Sequence, residues 1–223
     1  MDLEHRPGRL ARPGMPVPWP AMLDLITSTL MVFMLVTTLE LAFGDDDLEA
    51  ALMRTRQEQF QQDFQREFAP EIGRHEVWIE RHLDFIQILF SDGVLFRLGD
   101  HRLQPAGQHL VDRCARVFAH AGTRGYEQIQ VEGHTDNVPL DRPSYPSNNW
   151  ELSTARALSV VEFLSRKEPS FAAVLSANGY SSNRPVADNL TQAGRDLNRR
   201  IEIRLFFSGT HPSDRGRHGR SPR

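Results

Sequence analysis

The sequence predicts an α/β fold, a two-layer βαβαββ sandwich preceded by one N-terminal transmembrane helix and a helical linker. Three observations carry this prediction. An apolar run covers Ala21 to Phe43. A charged, Gln-rich stretch follows, with its apolar residues mostly four apart. From Asp84 to Phe207, period-two strand patterns alternate with helical ones. The expected segments are a disordered cytoplasmic N-terminus (1–20), a transmembrane helix (21–43), an amphipathic linker (44–83), the folded domain (84–207) and a disordered basic tail (208–223).

Composition sets the outer bounds. The 223 residues are 39% hydrophobic and 25% charged, enough for one ordinary domain and an appendage. A formal net charge of −3 offers no general attraction to nucleic acid. Cys114 is the only cysteine, which excludes an intramolecular disulfide and a cysteine-rich metal site. Its spacing from Val111 and Ala115 suits a buried, inert thiol on a helix facing a core.

The first twenty residues are rich in Pro, Gly and Arg and cannot bury a core. Arg6, Arg9 and Arg12 precede the apolar run, whereas Asp45, Asp46, Asp47 and Glu49 follow it. The positive-inside bias keeps the N-terminus in the cytoplasm and exports the rest. Ala21 to Phe43 is long enough to cross a hydrocarbon core of roughly 30 Å, and Trp19 sits where an interfacial aromatic belongs. A cleaved signal peptide is the rival reading. No small-x-small site follows the run, and no lipoprotein cysteine exists.

Asp24 stands inside that span. A carboxylate in a membrane helix costs on the order of 3 kcal/mol, which usually marks a functional site. Thr27, Ser28 and Thr38 extend roughly the same face. Taken alone, Asp24 also lies near enough to the cytoplasmic end to snorkel.

Between Asp45 and about Arg81, Leu48, Leu52, Phe60, Phe64 and Phe68 predict an amphipathic helix broken at Pro70 and Gly73. Read from its residues, it is a partly helical spacer. The domain then opens on a strand at Asp84–Phe90. Pro105 starts a helix in which His109, Leu110, Arg113, Cys114, Val117 and Phe118 recur at helical spacing and which ends near Gly122. Tyr126–Gly133 alternates as a half-buried strand, and Val138–Pro146 is a loop with three prolines. Trp150–Arg166 forms the second long helix, and Ala172–Tyr180 the next strand. Thr191 caps a short helix ending near Asn198, and Ile201–Phe207 is the last strand.

The Val131-Glu132-Gly133-His134-Thr135-Asp136 run delivers His134, Thr135 and Asp136 from a strand end into a loop. In Ser147–Ala157, a helix entry sets Ser153 and Arg156 one turn apart. Together they can place a carboxylate, a guanidinium and amide side chains around one small zwitterion. The plainer alternative has Asp136 capping a turn and Arg156 pairing with a surface carboxylate. His134 has no second His, Cys or carboxylate at ligand spacing, and Ser153 has no evident His–Asp relay. No metal site, cofactor or hydrolase chemistry is therefore expected.

These two runs, followed by Asn198-Arg199-Arg200-Ile201-Glu202-Ile203, resemble the OmpA-like peptidoglycan-binding domain in content and order, over roughly residues 84–207. The Asn149-Trp150-Glu151-Leu152-Ser153 form after a long loop is most similar to the B subunits of ion-driven stators, the MotB group. The resemblance implies the sheet pairing of an OmpA-like sandwich. It implies that Asp136 holds the ammonium, and Arg156 the carboxylate, of a diaminopimelate unit in the peptidoglycan stem. Arg suits that role because its planar fork meets both carboxylate oxygens. Asn149 would add an amide contact, Thr135 and Leu152 would line the rim, and Arg199 is a secondary candidate.

For the whole chain the resemblance implies the B subunit of a proton-driven MotA/MotB-like stator, in a flagellar motor or in Zorya-type anti-phage defence. Asp24 would bind the proton. The partners implied are a second copy of the chain, a polytopic MotA/ZorA-like membrane subunit and peptidoglycan, but no nucleic acid. The same resemblance makes the linker a pairing helix or a channel plug. It sets the chain in the inner membrane as a single-pass protein with a periplasmic domain. The alternative is a passive inner-membrane-anchored peptidoglycan tether without ion transport.

Overall fold

The computed structural model describes residues 19–42, 45–122, 125–140 and 143–207. The N-terminal segment up to residue 18 and the tail at 208–223, both expected to be disordered, lie outside them. The chain divides into two compact units, Met1–Leu48 and Glu49–Arg223.

In the first unit, helix α1 runs from Trp19 to Ala42. At about 1.5 Å per residue its 24 residues reach roughly 36 Å, and Met22–Leu39 is apolar enough to cross a membrane. The hydroxyls of Thr27 and Thr37 donate to the carbonyls of Leu23 and Phe33 at 2.9 and 2.8 Å. Such bonds satisfy polar side chains inside the helix itself, so threonines do not bar an apolar span. Asp24 is exposed on this helix.

The second unit is built on a five-stranded sheet in the order β1-β2-β5-β3-β4. Its elements are β1 (Val77–Arg81), β2 (Phe85–Ser91), β3 (Tyr126–His134), β4 (Leu175–Gly179) and β5 (Arg200–Phe207). The only parallel pairing among them is β3 with β4. Helix α2 (Asp45–Glu67) and the short α3 (Ala69–Gly73) precede β1, and α4 (Asp92–Leu95) follows β2. Helices α5 (Pro105–His120) and α6 (Asn149–Lys167) cover one face of the sheet, and α7 (Gln192–Asn198) leads into β5. Strand alternation sends Ile86, Ile88, Ile129, Val131, Ile201, Ile203 and Leu205 against Leu110, Cys114, Phe118, Val160 and Leu164. This is the α/β two-layer sandwich expected, with two refinements.

The first refinement concerns the linker. Phe60, Phe64 and Phe68 are almost fully buried and join the domain core, with Phe60 5.9 Å from Phe118 and 5.7 Å from Phe207. Arg113 fastens the junction of α2 and α3, pairing with Glu67 at 2.9 Å and Glu71 at 2.8 Å while its guanidinium covers Phe68. The spacing of four marked a helix correctly, but its aromatic stripe is core rather than the face of a spacer. Strand β1 also falls inside the stretch expected as linker. Five residues ending in Glu80 and Arg81 are too short and too polar to stand out as a strand in sequence.

The second refinement is the position of β5. It does not close a hairpin with β4 but lies between β2 and β3, paired to both. A long excursion from Tyr180 to Arg199 makes that crossing possible and carries α7 to the C-terminal end of β3.

Helix α6 begins where Asn148 accepts a hydrogen bond from Glu151 N, while Glu151 reaches back to Ser147 N at 2.8 Å. Its approach to the sheet depends on Gly133, since a Cβ there would stand 2.0 Å from Ser153 O. That close seat sets the first two turns of α6 beside the loop leaving β3.

Candidate functional site

A cleft of about 410 Å³ opens at the ends of β3 and β5, under the start of α6 and beside α7. Thr135, Asp136, Asn149, Leu152, Arg156 and Arg199 all line it, so the residues singled out in three separate sequence motifs meet in one hollow. Leu98, Val138 and Leu140 supply apolar walls, and Gln192 and Arg195 complete the rim.

Each side chain has an identifiable anchor. Thr135 N donates to Ser181 O at 2.9 Å, which turns the chain out of β3. Asp136 Oδ1 then accepts from Val138 N at 3.1 Å, and its Oδ2 from Arg199 NH1 at 2.5 Å. Asn149 Nδ2 donates to the carbonyls of Val138 and Asp136, at 2.8 and 3.3 Å, and so splints the loop to α6. Its amide thus serves the loop first, rather than standing free for a ligand. Leu152 is buried at the floor.

Arg156 departs furthest from the expectation of a guanidinium waiting for a ligand. It is 1% exposed, and its Nε donates to Asp100 O at 2.9 Å. NH1 meets Asp92 Oδ1 at 2.9 Å, and Phe96 stacks beneath the guanidinium. Burial pulls the Arg156 pKa down, and Asp92 restores part of it. The same burial, opposed by the charges of Arg156 and Arg199, pushes Asp92 up to about 6. Arg199 goes the other way. Burial works against its charge, but the bond to Asp136 and the nearby carboxylates outweigh that and raise its pKa. Arg199, a secondary candidate from sequence, is therefore the direct partner of Asp136. Asp92 and Asp100 were missed. Their signal was faint: Asp92 sits in the Ser-Asp-Gly break after β2, where an acidic residue reads simply as a turn former.

The expectation that no carboxylate lies at ligand spacing from His134 is corrected by the structure. Glu132, two residues back on the same strand face, and Glu202, across the β3–β5 ladder, approach His134 Nε2 at 3.6 and 3.7 Å. The three could hold a metal ion by distance. Their charge is already committed, because Arg200 pairs with Glu202, and Arg204 lies 3.1 Å from Glu202 and 3.3 Å from Glu132. A further cation there would face two guanidinium groups, so the donor set does not fit one. Ser153 is also spent on structure: its Oγ donates to Trp150 O and accepts from Ser181 N, each at 3.0 Å.

Residues 95–199 match the OmpA family, a range that holds every residue lining the cleft. The solved structure of the cell wall anchor of the T6SS from Pseudomonas aeruginosa is 33% identical, with a TM-score of 0.58, and the match covers 65% of this chain and 96% of that one. Residues 95–199 form an OmpA-family domain. Among curated relatives of this chain, Motility protein B of Bacillus subtilis is 30% identical over 135 residues, covering 60% of this chain and 50% of that protein. The protein YtxE of the same organism is 34% identical over 128 residues, covering 57% and 51%. The chain thus spans about half the length of these curated relatives.

Proposed function

We propose that the chain is a membrane-anchored, non-enzymatic wall-binding subunit, of the B type found in ion-driven stators. Its OmpA-family domain grips the diaminopimelate stem of peptidoglycan in the periplasm. The observation that carries this reading is the convergence of Asp136, Arg199 and Arg156 in one cleft, two cations and an acid at the scale of a small zwitterion. Asp136 receives the ligand ammonium, and Arg156 and Arg199 receive its carboxylate. Thr135 and Leu152 shape the wall, while Asn149 holds the loop that carries Asp136. The likeness to Motility protein B and to a cell wall anchor supports the same assignment.

Retention of the detergent-solubilised full chain on purified sacculi tests it. Asp136→Ala and Arg156→Ala should each release the protein, and retention equal to the unmodified chain overturns the site.

The membrane half of the proposal is that α1 crosses the inner membrane with its N-terminus in the cytoplasm. Two copies assemble with a polytopic MotA/ZorA-like subunit, and Asp24 binds the transported proton. Support comes from an apolar helix of spanning length that carries a carboxylate, since such a group in a bilayer demands a partner or a proton. The second reading, a passive tether, keeps the distal domain and dispenses with ion flux. Asp24→Asn separates them in cells: a tether keeps full function, and a proton-driven subunit loses it. A flagellar or Zorya-type defence role is then resolved by whether motility or phage resistance disappears with the gene.

A further inference from the structure

Arg156 and Arg199 both face carboxylates before a ligand arrives. Asp136 is matched by Arg199, and Arg156 by Asp92. Arg156 has also given Nε to Asp100 O, and its NH2 lies 3.5 Å from Arg97 O. A ligand carboxylate reaching this guanidinium therefore meets a carboxylate already there, itself only 4% exposed. Two carboxylates cannot both remain ionised at one desolvated guanidinium without strong repulsion.

We propose that Asp92 is the internal counter-ion of the cleft, a positioning residue whose place at Arg156 the ligand carboxylate takes while Asp92 accepts a proton. This rests on the reading of the cleft as a site for a wall peptide. The step moves one proton from solvent onto a carboxylate oxygen of Asp92, and no covalent bond to the ligand forms. The Asp92 main chain is fixed, because the residue opens α4 and its backbone N–H donates to Arg199 O at 3.0 Å. The residue is 4% exposed, so its carboxylate, once displaced from Arg156, stays in a desolvated place that favours the protonated form. The charged groups that act on it are Arg156 from α6, Arg199 from the junction of α7 and β5, and Asp136 from the loop after β3.

The direction of the linkage follows. Free Asp92 already holds its proton more tightly than an exposed aspartate. A second anion beside Arg156 raises that hold further, so the complex carries more protons than the free protein. Binding tightens as pH falls through the range just above 6.

The test is calorimetric titration of the full chain in nanodiscs with N-acetyl-L-alanyl-γ-D-glutamyl-meso-diaminopimelate, at pH 5.5 and 8.0, in two buffers of different ionisation heat. The expected result is about tenfold tighter binding at pH 5.5, one pH unit of full linkage being tenfold. Proton uptake approaching one per ligand is expected near pH 7. Asp92→Asn should abolish the pH dependence and bind at pH 8.0 as the unmodified chain does at pH 5.5. PH-independent affinity without proton uptake overturns the proposal, as does an Asp92→Asn profile that still bends like the original. If that variant does not fold, the buffer-dependent heat of the unmodified chain decides alone. Absence of binding at every pH instead removes the site reading, and this inference with it.

Discussion

Two clusters of buried charge stand side by side at the ends of β3 and β5, and the same two motifs feed both. Glu132 and His134 belong to one cluster and Asp136 to the other; Arg200 and Glu202 belong to one and Arg199 to the other. The separation follows from strand geometry. Glu132, His134, Arg200 and Glu202 occupy alternate ladder positions and so share one face of the sheet, whereas Asp136 and Arg199 lie just beyond the ladder and line the cleft under α6. In the ladder cluster every carboxylate has several partners: Glu202 has Arg200, Arg204 and Gln87, and Glu132 has Arg204 and Gln130. In the cleft, Arg156 meets Asp92, and Arg199 meets Asp136 and the exposed Asp196, and the cavity opens to solvent. Pairs shut inside the ladder make a network that holds the fold. Pairs beside an opening carry charges that a ligand can claim.

The largest expected effect is on the cleft side. Arg156→Ala leaves Asp92 buried and unpaired, which should cost about 3–5 kcal/mol in chemical denaturation. Retention on sacculi should fall at least about tenfold, the equivalent of losing 1.4 kcal/mol of binding. Loss of stability with retention intact would dissolve the distinction between the clusters, because both would then be structural.

Arg200→Met probes the other side. Glu202 keeps Arg204 and Gln87, so the expected loss is smaller, about 1–3 kcal/mol. Retention per folded molecule should stay within about twofold. Gly133→Ala sits between the two, because its new Cβ would press on Ser153 O and lift α6 from β3. About 1–3 kcal/mol of destabilisation is expected from that overpacking, together with weaker retention, since α6 carries Arg156. A gain in stability would show that α6 can shift freely.

Much of this was legible in the sequence, for physical reasons that also explain the gaps. Alternation in Tyr126–Gly133 and Ile201–Phe207 reports the sheet because one face of each strand is buried. Thr191 was recognisable as a helix cap, and its Oγ1 accepts from Gly194 N at 3.0 Å. The ordered motifs brought Asp136, Arg156 and Arg199 to attention, and they do share a cleft. What sequence could not convey was pairing across the fold. Asp92 is sixty-four positions from Arg156, and Phe64 reaches the core of a domain whose strand pattern starts twenty residues later. Contacts of that kind leave no local period to read.

The smallest effect is in pH, and here the two clusters should differ in sign. At Glu202 burial opposes ionisation, but the charge and hydrogen bond of Arg200 prevail and hold its pKa below the usual 4.5. Its contribution to stability is present above 4.5 and is lost as pH falls through the depressed value. Asp92 is shifted upward, from 3.8 to about 6. Its contribution is therefore fully present below 3.8 and is lost as pH rises through about 6. Urea unfolding of the full chain from pH 8 down to about pH 2 should show stability rising as pH falls from 8 toward 5, by on the order of 1 kcal/mol, before it declines in stronger acid. Asp92→Asn should flatten the first limb and leave the second, whereas Glu202→Gln should do the reverse. If either substitution flattened both limbs, the two clusters would titrate as one, and the division between a holding network and a binding cleft would fail.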